Sequence, residues 1–325
     1  MKAFVQDAYG PLGVLRLTDI EQPAVGDDDV LVRVHAAGVD PGVWHLVTGR
    51  PYLLRLTGYG LRAPKDRVRG MDVAGTVQAV GRNVTRFGPG DQVFGTCRGA
   101  FAEYACTPQS RLAMKPANLD SVRAAAVPTS AFTALQALRD SGRVRPGQRV
   151  LIIGAAGGVG TFAVQLAAGV FEAHVSGVCS TGKVDLVRSL GADEVIDYTR
   201  EDFADGTRRW DLILDTAGNR PVGLLRRALT LTGTLVIVGS ETKGRWFGGV
   251  DRMLRALALG PFVRHRLRGV VSTERAEDLD LLREYVEDGR LTPVIDRTYT
   301  FAEIPEAIRY IHEGHARGKV VATVA

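Results

Sequence analysis

A glycine-rich turn between an apolar strand and a helix is the segment of this sequence that most directly suggests chemistry. Residues 150–167 read VLIIGAAGGVGTFAVQLA, and in a G-x-G-x-x-G frame the three marked positions are Ala155, Gly157 and Gly160. Glycine at the second position lets the backbone approach a pyrophosphate, and glycine at the third lets the helix pack closely on the strand. The N–H groups at the start of such a helix point towards the anion. We therefore expect a dinucleotide to bind the backbone of Ala156, Gly157, Gly158, Val159 and Gly160.

The next strand indicates which nucleotide this loop binds. A site that prefers NAD usually places Asp or Glu about 20 residues past the loop, where it binds the ribose 2′-hydroxyl. Here the strand HVSGV ends in Cys179-Ser180-Thr181-Gly182-Lys183, without an acid. Hydroxyl groups and an ammonium group can bind the 2′-phosphate of NADP, which a carboxylate would repel. Lys183 could also be an ordinary solvated helix residue, but we predict that the cofactor is NADPH.

The possible metal ligands are scattered along the chain. A catalytic zinc needs about three His, Cys or carboxylate ligands at one point, and a structural zinc needs four. Cys97, Cys106 and Cys179 form no C-x-x-C pair. His312 and His315 stand three residues apart on a predicted helix, where surface positions are the simpler interpretation. We predict that no metal is bound.

These candidate residues lie in segments with different secondary-structure patterns. Residues 1–120 contain short β-branched and aromatic runs between glycines and prolines, a pattern typical of a barrel or sandwich. Residues 121–270 alternate apolar strands with helices, as a parallel sheet covered on both faces requires. Residues 271–325 have too few elements to form a domain alone. We predict an α/β protein in which 121–270 form a doubly wound nucleotide-binding domain and 271–325 complete the β domain of 1–120.

Composition excludes several other classes of protein. The chain has 325 residues, 45% hydrophobic and 24% charged, which is typical of globular and not of disordered proteins. No apolar run reaches the roughly 18 residues of a membrane-spanning helix, and the N-terminus lacks a signal-peptide pattern. The net charge is +5, and the basic residues in 62–69 and 264–268 are mixed with apolar or acidic ones, which favours a solvated surface. We expect a cytoplasmic protein with no nucleic-acid or membrane partner.

Several motifs, in order along nearly the whole chain, resemble the medium-chain dehydrogenase/reductase superfamily and its zinc-free, quinone oxidoreductase-like branch. They include AAGVDPGVWHLVTGRPY (36–52), GMDVAGTVQAVG (70–81), GAAGGVGTFAVQLA (154–167) and HARGKVV (315–321). Zinc alcohol dehydrogenases of this superfamily carry Gly-His-Glu where this chain has Gly70-Met71-Asp72, so the resemblance also implies a metal-free site. It implies a GroES-like β-barrel catalytic domain and a Rossmann domain, with the active site in the cleft between them.

The resemblance also assigns cofactor contacts to individual residues. The 2′-phosphate is expected to bind Ser180, Lys183 and Tyr198. Thr133 is the helix hydroxyl that lies near the nicotinamide in relatives. The nicotinamide and its ribose are expected to contact backbone after the fourth and fifth strands of the Rossmann domain, at Ala217 and from Val238 to Ser240.

A loop that carries an Asn and two tyrosines facing the substrate in several relatives has Asp40, His45 and Tyr52 at the corresponding positions. Without a Lewis acid, an already electrophilic carbon suits hydride transfer best, so we expect reduction of the activated C=C of an α,β-unsaturated carbonyl compound. The enolate then needs a hydrogen-bond donor and a proton. Tyr52 is the first choice for this donor, and His45 and Asp40 are the second. Each also has a structural interpretation: cleft packing for Tyr52, a solvated loop position for His45 and a turn before proline for Asp40.

Two other functions remain open from the sequence. Relatives of the same fold reduce quinones, and quinone reduction needs no positioned proton donor. Alternatively, a protein of this branch could bind NADPH without turnover. The substrate is therefore expected to be an enone, an enoyl compound or a quinone. The long, basic and aromatic segment 49–69 hints at a sizeable or anionic substrate. We expect the protein to be a homodimer.

Overall fold

The computed structural model describes residues 1–239, 244, 246, 248 and 250–324. The chain divides into two compact units, a catalytic unit of Met1–Phe132, Thr273–Gly289 and Pro293–Ala325, and a nucleotide unit of Thr133–Ser272 and Arg290–Thr292. The sequence pattern predicts the corresponding boundaries at 120/121 and 270/271. The first division falls later because a short helix after residue 120 packs on the sheet of the catalytic unit.

The secondary structure follows the alternation that the sequence predicts. The strands are β1 (Lys2–Val5), β2 (Arg16–Asp19), β3 (Asp29–Val39), β4 (Asp72–Val80), β5 (Gln92–Thr96), β6 (Tyr104–Pro108), β7 (Leu112–Met114), β8 (Arg149–Ile153), β9 (His174–Cys179), β10 (Glu194–Asp197), β11 (Trp210–Asp215), β12 (Leu229–Ile237), β13 (Arg266–Gly269), β14 (Ile295–Thr300) and β15 (Lys319–Thr323). The helices are α1 (Pro41–Thr48), α2 (Tyr52–Leu54), α3 (Ser121–Ala125), α4 (Pro128–Gln136), α5 (Gly158–Gly169), α6 (Val184–Ser189), α7 (Val222–Arg227), α8 (Val250–Leu259), α9 (Ala276–Glu287) and α10 (Ile304–His312).

The catalytic unit is built around a seven-stranded sheet in the order β14-β15-β3-β4-β5-β7, with β6 also paired to β3. The long strand β3 is almost entirely buried because valine and alanine dominate its sequence. The last strand, β15, pairs with β3 in antiparallel register, with Val320 opposite Val39. The C-terminal segment therefore completes the sheet that the N-terminal segment begins.

The nucleotide unit contains a six-stranded parallel sheet in the order β10-β9-β8-β11-β12-β13. Its central strand β8 is buried from Val150 to Ile153, as expected for a strand covered by helices on both faces. The strand order reverses at β8, and ligands of such sheets bind beyond the carboxyl ends of the strands at this point. The predicted doubly wound α/β fold is confirmed.

Among the described residues, no helix is both long enough and apolar enough to cross a membrane.

Candidate active site

The glycine-rich loop links β8 to α5 at the carboxyl edge of the parallel sheet. The N–H groups of Gly154 and Ala155 donate to the carbonyl of Val178 on the neighbouring strand, at 3.2 and 3.1 Å. Helix α5 begins at Gly158, and its N-cap residue, Gly157, has no side chain that could accept from the first turn. The N–H groups of that turn have no partner within the helix, so they are available to donate to an anion at the strand end.

The structure corrects one detail of the predicted glycine frame. The frame has Ala155 at its first position, which normally makes the tight turn, but Gly154 has the positive φ of 81°, and a Cβ there would lie 2.5 Å from Thr216 Oγ1. At Gly160 a Cβ would lie 2.1 Å from the carbonyl oxygen of Gly154. At Gly157 the nearest atom would be 3.3 Å away. The fold therefore requires glycine at 154 and 160. At 157 the fold does not require glycine, so the lack of a side chain there can let a ligand approach the backbone.

The residues predicted to bind the 2′-phosphate come together at the ends of β9 and β10. These strands are parallel neighbours, and the Tyr198 N–H donates to the carbonyl of Cys179 at 3.1 Å. Ser180 and Lys183 are half-buried in the turn after β9, and the Tyr198 side chain is 50% exposed. The predicted hydroxyl and ammonium groups thus lie at one edge of the sheet.

Two further residues at this edge, Asp197 and Arg200, are not among those predicted from the sequence. Asp197, the last residue of β10, is buried and accepts hydrogen bonds from the Thr181 hydroxyl at 2.5 Å and the Thr199 hydroxyl at 2.7 Å. The hydrogen bond from Thr181 is the main reason why the pKa of Asp197 is lowered. Arg200 Nε lies 3.5 Å from the Asp197 carboxylate and its side chain is 75% exposed. Both residues belong to the segment DYTR (197–200), in which the Asp197 side chain is buried and the Arg200 side chain is exposed.

The residues predicted near the nicotinamide follow strands on the other side of β8. Ala217 and Val238 are half-buried directly after β11 and β12. The buried Asp215 shapes this turn, because its side chain accepts from the Gly218 N–H at 2.9 Å and pairs with Arg252. Thr133 is half-buried in α4. Ser240 lies outside the residues that the structure describes.

Asp40 occupies a different environment from the one expected of a substrate-facing residue. Its side chain is buried, pairs with the ammonium group of Lys319, and accepts from Ser130 Oγ at 3.2 Å. Asp72 shares the same ammonium group at 3.4 Å and accepts from the Thr129 N–H at 3.0 Å. Asp40 Oδ1 makes these contacts, whereas Oδ2 is buried without a hydrogen-bond partner among the described residues. The burial of the side chain and its pairing with Lys319 argue against the expectation that Asp40 faces substrate.

This buried cluster contains two carboxylates and one ammonium group. Burial opposes ionisation of Asp40, but the charge of Lys319 and hydrogen bonds with Asp72, Lys319 and Ser130 together outweigh burial, and the pKa of Asp40 is lowered. Burial, followed by the negative charge of Asp40, raises the pKa of Asp72 well above its usual value. Burial opposes the charge on Lys319, but the two carboxylates outweigh it and its pKa is raised. The cluster thus favours an ionised Asp40 paired with Lys319 and a protonated Asp72.

The two remaining catalytic candidates lie in and after α1. His45 is half-buried, and its Nδ1 lies 2.8 Å from the carbonyl oxygen of Arg50. The half-buried ring of Tyr52 stacks under the Arg55 guanidinium, 4.8 Å from the ring centroid. The same guanidinium lies 4.4 Å from the centroid of Tyr9, so Tyr52 belongs to an aromatic and cationic wall of the catalytic unit.

Comparison with known proteins identifies the family. The alcohol dehydrogenase GroES-like domain matches residues 26–117, and the zinc-binding dehydrogenase family matches residues 190–321. The chain is 34% identical to a 2-methylene-furan-3-one reductase of Solanum lycopersicum over 99% of its own length and 78% of the relative's. The chain belongs to the medium-chain dehydrogenase/reductase superfamily. It lies in the quinone oxidoreductase-like branch, as the sequence predicted.

Two further comparisons extend this assignment within the superfamily. The chain is 33% identical to an NADPH-dependent alkenal/one oxidoreductase of Arabidopsis thaliana, over 99% of this chain and 79% of that one. The structure of a quinone oxidoreductase from Coxiella burnetii superposes with a TM-score of 0.84 and 29% identity, covering 100% of this chain and 99% of the other. The GroES-like and Rossmann folds expected for this superfamily are thus confirmed.

The residues of this superfamily member do not fit the zinc site that one family name implies. Within the described ranges, no group of three or more His, Cys, Asp or Glu side chains is placed to hold a metal. At the Gly-His-Glu position of zinc enzymes, Met71 supplies a thioether and Asp72 is engaged by Thr129 and Lys319. The donor set at this position is therefore that of a structural ion pair.

A cavity of about 170 Å³ opens in the catalytic unit beside Met71. Its apolar lining comes from Leu46, Val68, Met71 and Cys97, and Tyr59 adds a phenol ring. Its charged lining consists of Asp66, Arg69, Arg98, Arg111 and Glu274. The cavity therefore combines an apolar surface with three guanidinium groups and two carboxylates.

Proposed function

We propose that the protein is an NADPH-dependent reductase that acts on the activated C=C of α,β-unsaturated carbonyl compounds. The observation that carries the proposal is the parallel-sheet edge at which an uncapped helix start lies beside Ser180, Lys183 and Tyr198. Two relatives named as an alkenal/one oxidoreductase and a furanone reductase support this substrate class. The cofactor assignment is also supported by the name of the first of these relatives.

The charge distribution at the sheet edge favours NADPH over NADH. A 2′-phosphate carries negative charge that Lys183 and Arg200 can neutralise and that hydroxyl groups can bind. The nearby carboxylate, Asp197, is buried and accepts from Thr181 and Thr199, so its oxygens are already occupied. The edge therefore presents donors, not a free carboxylate, to the adenosine ribose.

The proposed reaction needs two contributions from the protein. When bound, NADPH supplies a hydride that adds to the β-carbon of the unsaturated carbonyl compound, and the C=C pair becomes an enolate that takes a proton at the α-carbon. The residues around Met71 offer no Lewis acid, so an acceptor that is already electrophilic fits the site. Tyr52 remains our proposed proton donor, with His45 second, and the burial of Asp40 argues against a direct role for it.

Quinone reduction is the second candidate, supported by the similarity to the Coxiella burnetii quinone oxidoreductase. The deciding experiment measures loss of nicotinamide absorbance with a panel of enones, enoyl thioesters and quinones. Turnover of activated alkenes would support the proposal, and turnover of quinones alone would replace it with the second candidate. Tight NADPH binding without turnover of any compound would indicate a protein that binds the nucleotide without catalysis.

We also propose a homodimer, formed through the β13 edge of the parallel sheet. In the described part of the chain β13 pairs only with β12, which leaves its other edge available for a second copy. Phe262 and Val271, which flank this strand, are each 83% exposed. Pairing of two copies would cover these apolar side chains. The cytoplasmic location stays a prediction from the sequence.

A further inference from the structure

We propose that the cavity beside Met71 binds a carboxylate group of the substrate, so that the preferred unsaturated carbonyl compounds are acids. This inference rests on the proposed reductase function and names its substrate class. Three features carry it: a buried arginine with unused donors, a surplus of positive charge in the lining, and an apolar surface beside that charge.

Arg69 is the central residue of the cavity. It is only 4% exposed, and its Nε donates to Gln6 Oε1 at 2.8 Å. Neither terminal nitrogen makes a hydrogen bond to any residue in the described ranges, and Nη2 is fully buried. An unpaired buried donor on a charged group is costly, so the site gains most from a ligand that supplies an acceptor.

The other charges of the lining are already paired with one another. Arg98 lies 3.5 Å from Asp66, and Arg111 lies 3.1 Å from Glu274. Arg69 is therefore the guanidinium of this lining that has no carboxylate within ion-pair distance in the described residues. The lining carries one positive charge in excess, which matches a ligand group with a single negative charge.

The protonation state of Arg69 suits this role. Burial lowers its pKa, against the opposing influence of Tyr9, Asp66 and Tyr59. Arginine nevertheless remains protonated in proteins because its ordinary pKa is so high. A bound carboxylate would offset the desolvation of the guanidinium and accept a charge-assisted hydrogen bond from it. A neutral ligand would leave the charge uncompensated.

The size and the apolar lining of the cavity limit what can carry the carboxylate. Its volume of about 170 Å³ corresponds to roughly five or six water molecules at about 30 Å³ each. A carboxylate and two or three methylene groups fill such a volume. Leu46, Met71 and Cys97 would contact the methylene groups. Asp66, Val68 and Arg98 also line an open depression of about 660 Å³, where a longer substrate could continue.

The test compares one enone as an acid and as its amide. The pair 6-oxohept-4-enoate and 6-oxohept-4-enamide differs in charge, while two methylene groups separate that charge from the reacting double bond. We expect kcat/KM with NADPH to be at least about tenfold higher for the acid, since hydrogen bonds to charged groups are worth about 1.5–3 kcal/mol. Equal kcat/KM for both compounds would overturn the carboxylate site and leave the reductase function standing.

Variants locate the effect at Arg69. Arg69→Met should lose the preference for the acid, so that the ratio of kcat/KM for the acid to kcat/KM for the amide falls to about one. Arg82→Met is the matched control, because Arg82 lines neither the cavity nor the open depression and has a side chain that is 78% exposed and paired with Asp27. Loss of the preference in Arg82→Met and not in Arg69→Met would contradict the assignment.

A binding measurement separates this inference from the reductase proposal and does not depend on how well a variant folds. Calorimetric titration of the wild-type protein with saturated 6-oxoheptanoate should give tighter binding than its amide. Acid-selective binding without any turnover of the enones would refute the reductase and retain the anion site. Absence of acid-selective binding would refute the anion site, whatever the enones show.

Discussion

At the scale of single residues, the nucleotide preference depends on Lys183. It is half-buried in the turn after β9, beside Ser180 and near Tyr198 of the next strand. We expect Lys183→Ala to raise the Kd for NADPH about tenfold or more and to leave the Kd for NADH nearly unchanged, because only NADPH carries the 2′-phosphate. Fluorescence titration with both nucleotides measures this difference.

Arg188→Ala is the control for this prediction. Arg188 lies on α6, five positions further along, and its side chain is 64% exposed and paired with Asp185 at 3.2 Å. Arg188→Ala removes one positive charge, as Lys183→Ala does, but it leaves the residues at the ends of β9 and β10 unchanged. Equal losses of NADPH affinity in both variants would indicate a general electrostatic effect, and no loss in Lys183→Ala would place the 2′-phosphate elsewhere.

Asp72 should make the stability of the protein depend on pH. Burial, followed by the charge of Asp40, raises its folded-state pKa above the ordinary value of 3.8. Such a group contributes stability that is fully present below the pKa of the unfolded chain and lost as pH rises through the folded-state pKa. We expect the unfolding free energy to fall with rising pH above about 4, by up to about 1.4 kcal/mol per pH unit from this group, and Asp72→Asn to remove that fall.

Urea unfolding across pH measures this slope in the two proteins. Asp205→Asn provides a control of opposite sign, since hydrogen bonds from Thr207 lower the pKa of Asp205. The stability that Asp205 contributes is present above pH 3.8 and lost only as pH falls. An unchanged slope in Asp72→Asn would show that Asp72 is ionised in the folded protein.

At the scale of elements, the turn from β8 to α5 contains one glycine that the fold requires, Gly160, and one that we expect the nucleotide to require, Gly157. A Cβ at Gly160 would overlap the carbonyl of Gly154 at 2.1 Å, whereas a Cβ at Gly157 would meet it at 3.3 Å. We expect Gly160→Ala to lower the thermal midpoint by several degrees, because overpacking costs about 1–3 kcal/mol. Gly157→Ala should keep the midpoint within a degree or two and weaken NADPH binding.

Thermal unfolding and nucleotide titration of both variants test this separation. Equal destabilisation by the two substitutions would mean that both glycines serve the fold alone. A Gly157→Ala protein with unchanged affinity would place the pyrophosphate away from this turn.

At the scale of the whole molecule, the assembly depends on the β13 edge. Phe262 and Val271 expose apolar surface beside a strand that has one partner in the described residues. We expect Phe262→Glu to shift the protein from dimer to monomer in sedimentation equilibrium, because a charge would have to be buried between the copies. Leu17→Glu is the control, because it places the same charge on another exposed apolar residue, on β2 of the catalytic unit. A wild-type monomer would refute the dimer, and dissociation by Leu17→Glu alone would move the interface to the catalytic unit.

The sequence by itself determined the fold and the identity of the cofactor, NADPH. Apolar periodicity, the glycine turn and the lack of an acid after β9 are local properties, and helices, parallel strands and phosphate loops depend mainly on such local patterns. The family motifs then fixed the order of the domains. Only the tertiary structure shows the burial and the pairing of Asp40 and Arg69, because both depend on residues far apart in the chain. Asp40 meets Lys319 across 279 positions, and Arg69 meets Gln6 across 63. No local pattern shows whether such a charge is paired in the fold, and that pairing distinguishes a structural ion pair from a charge that can still bind a ligand.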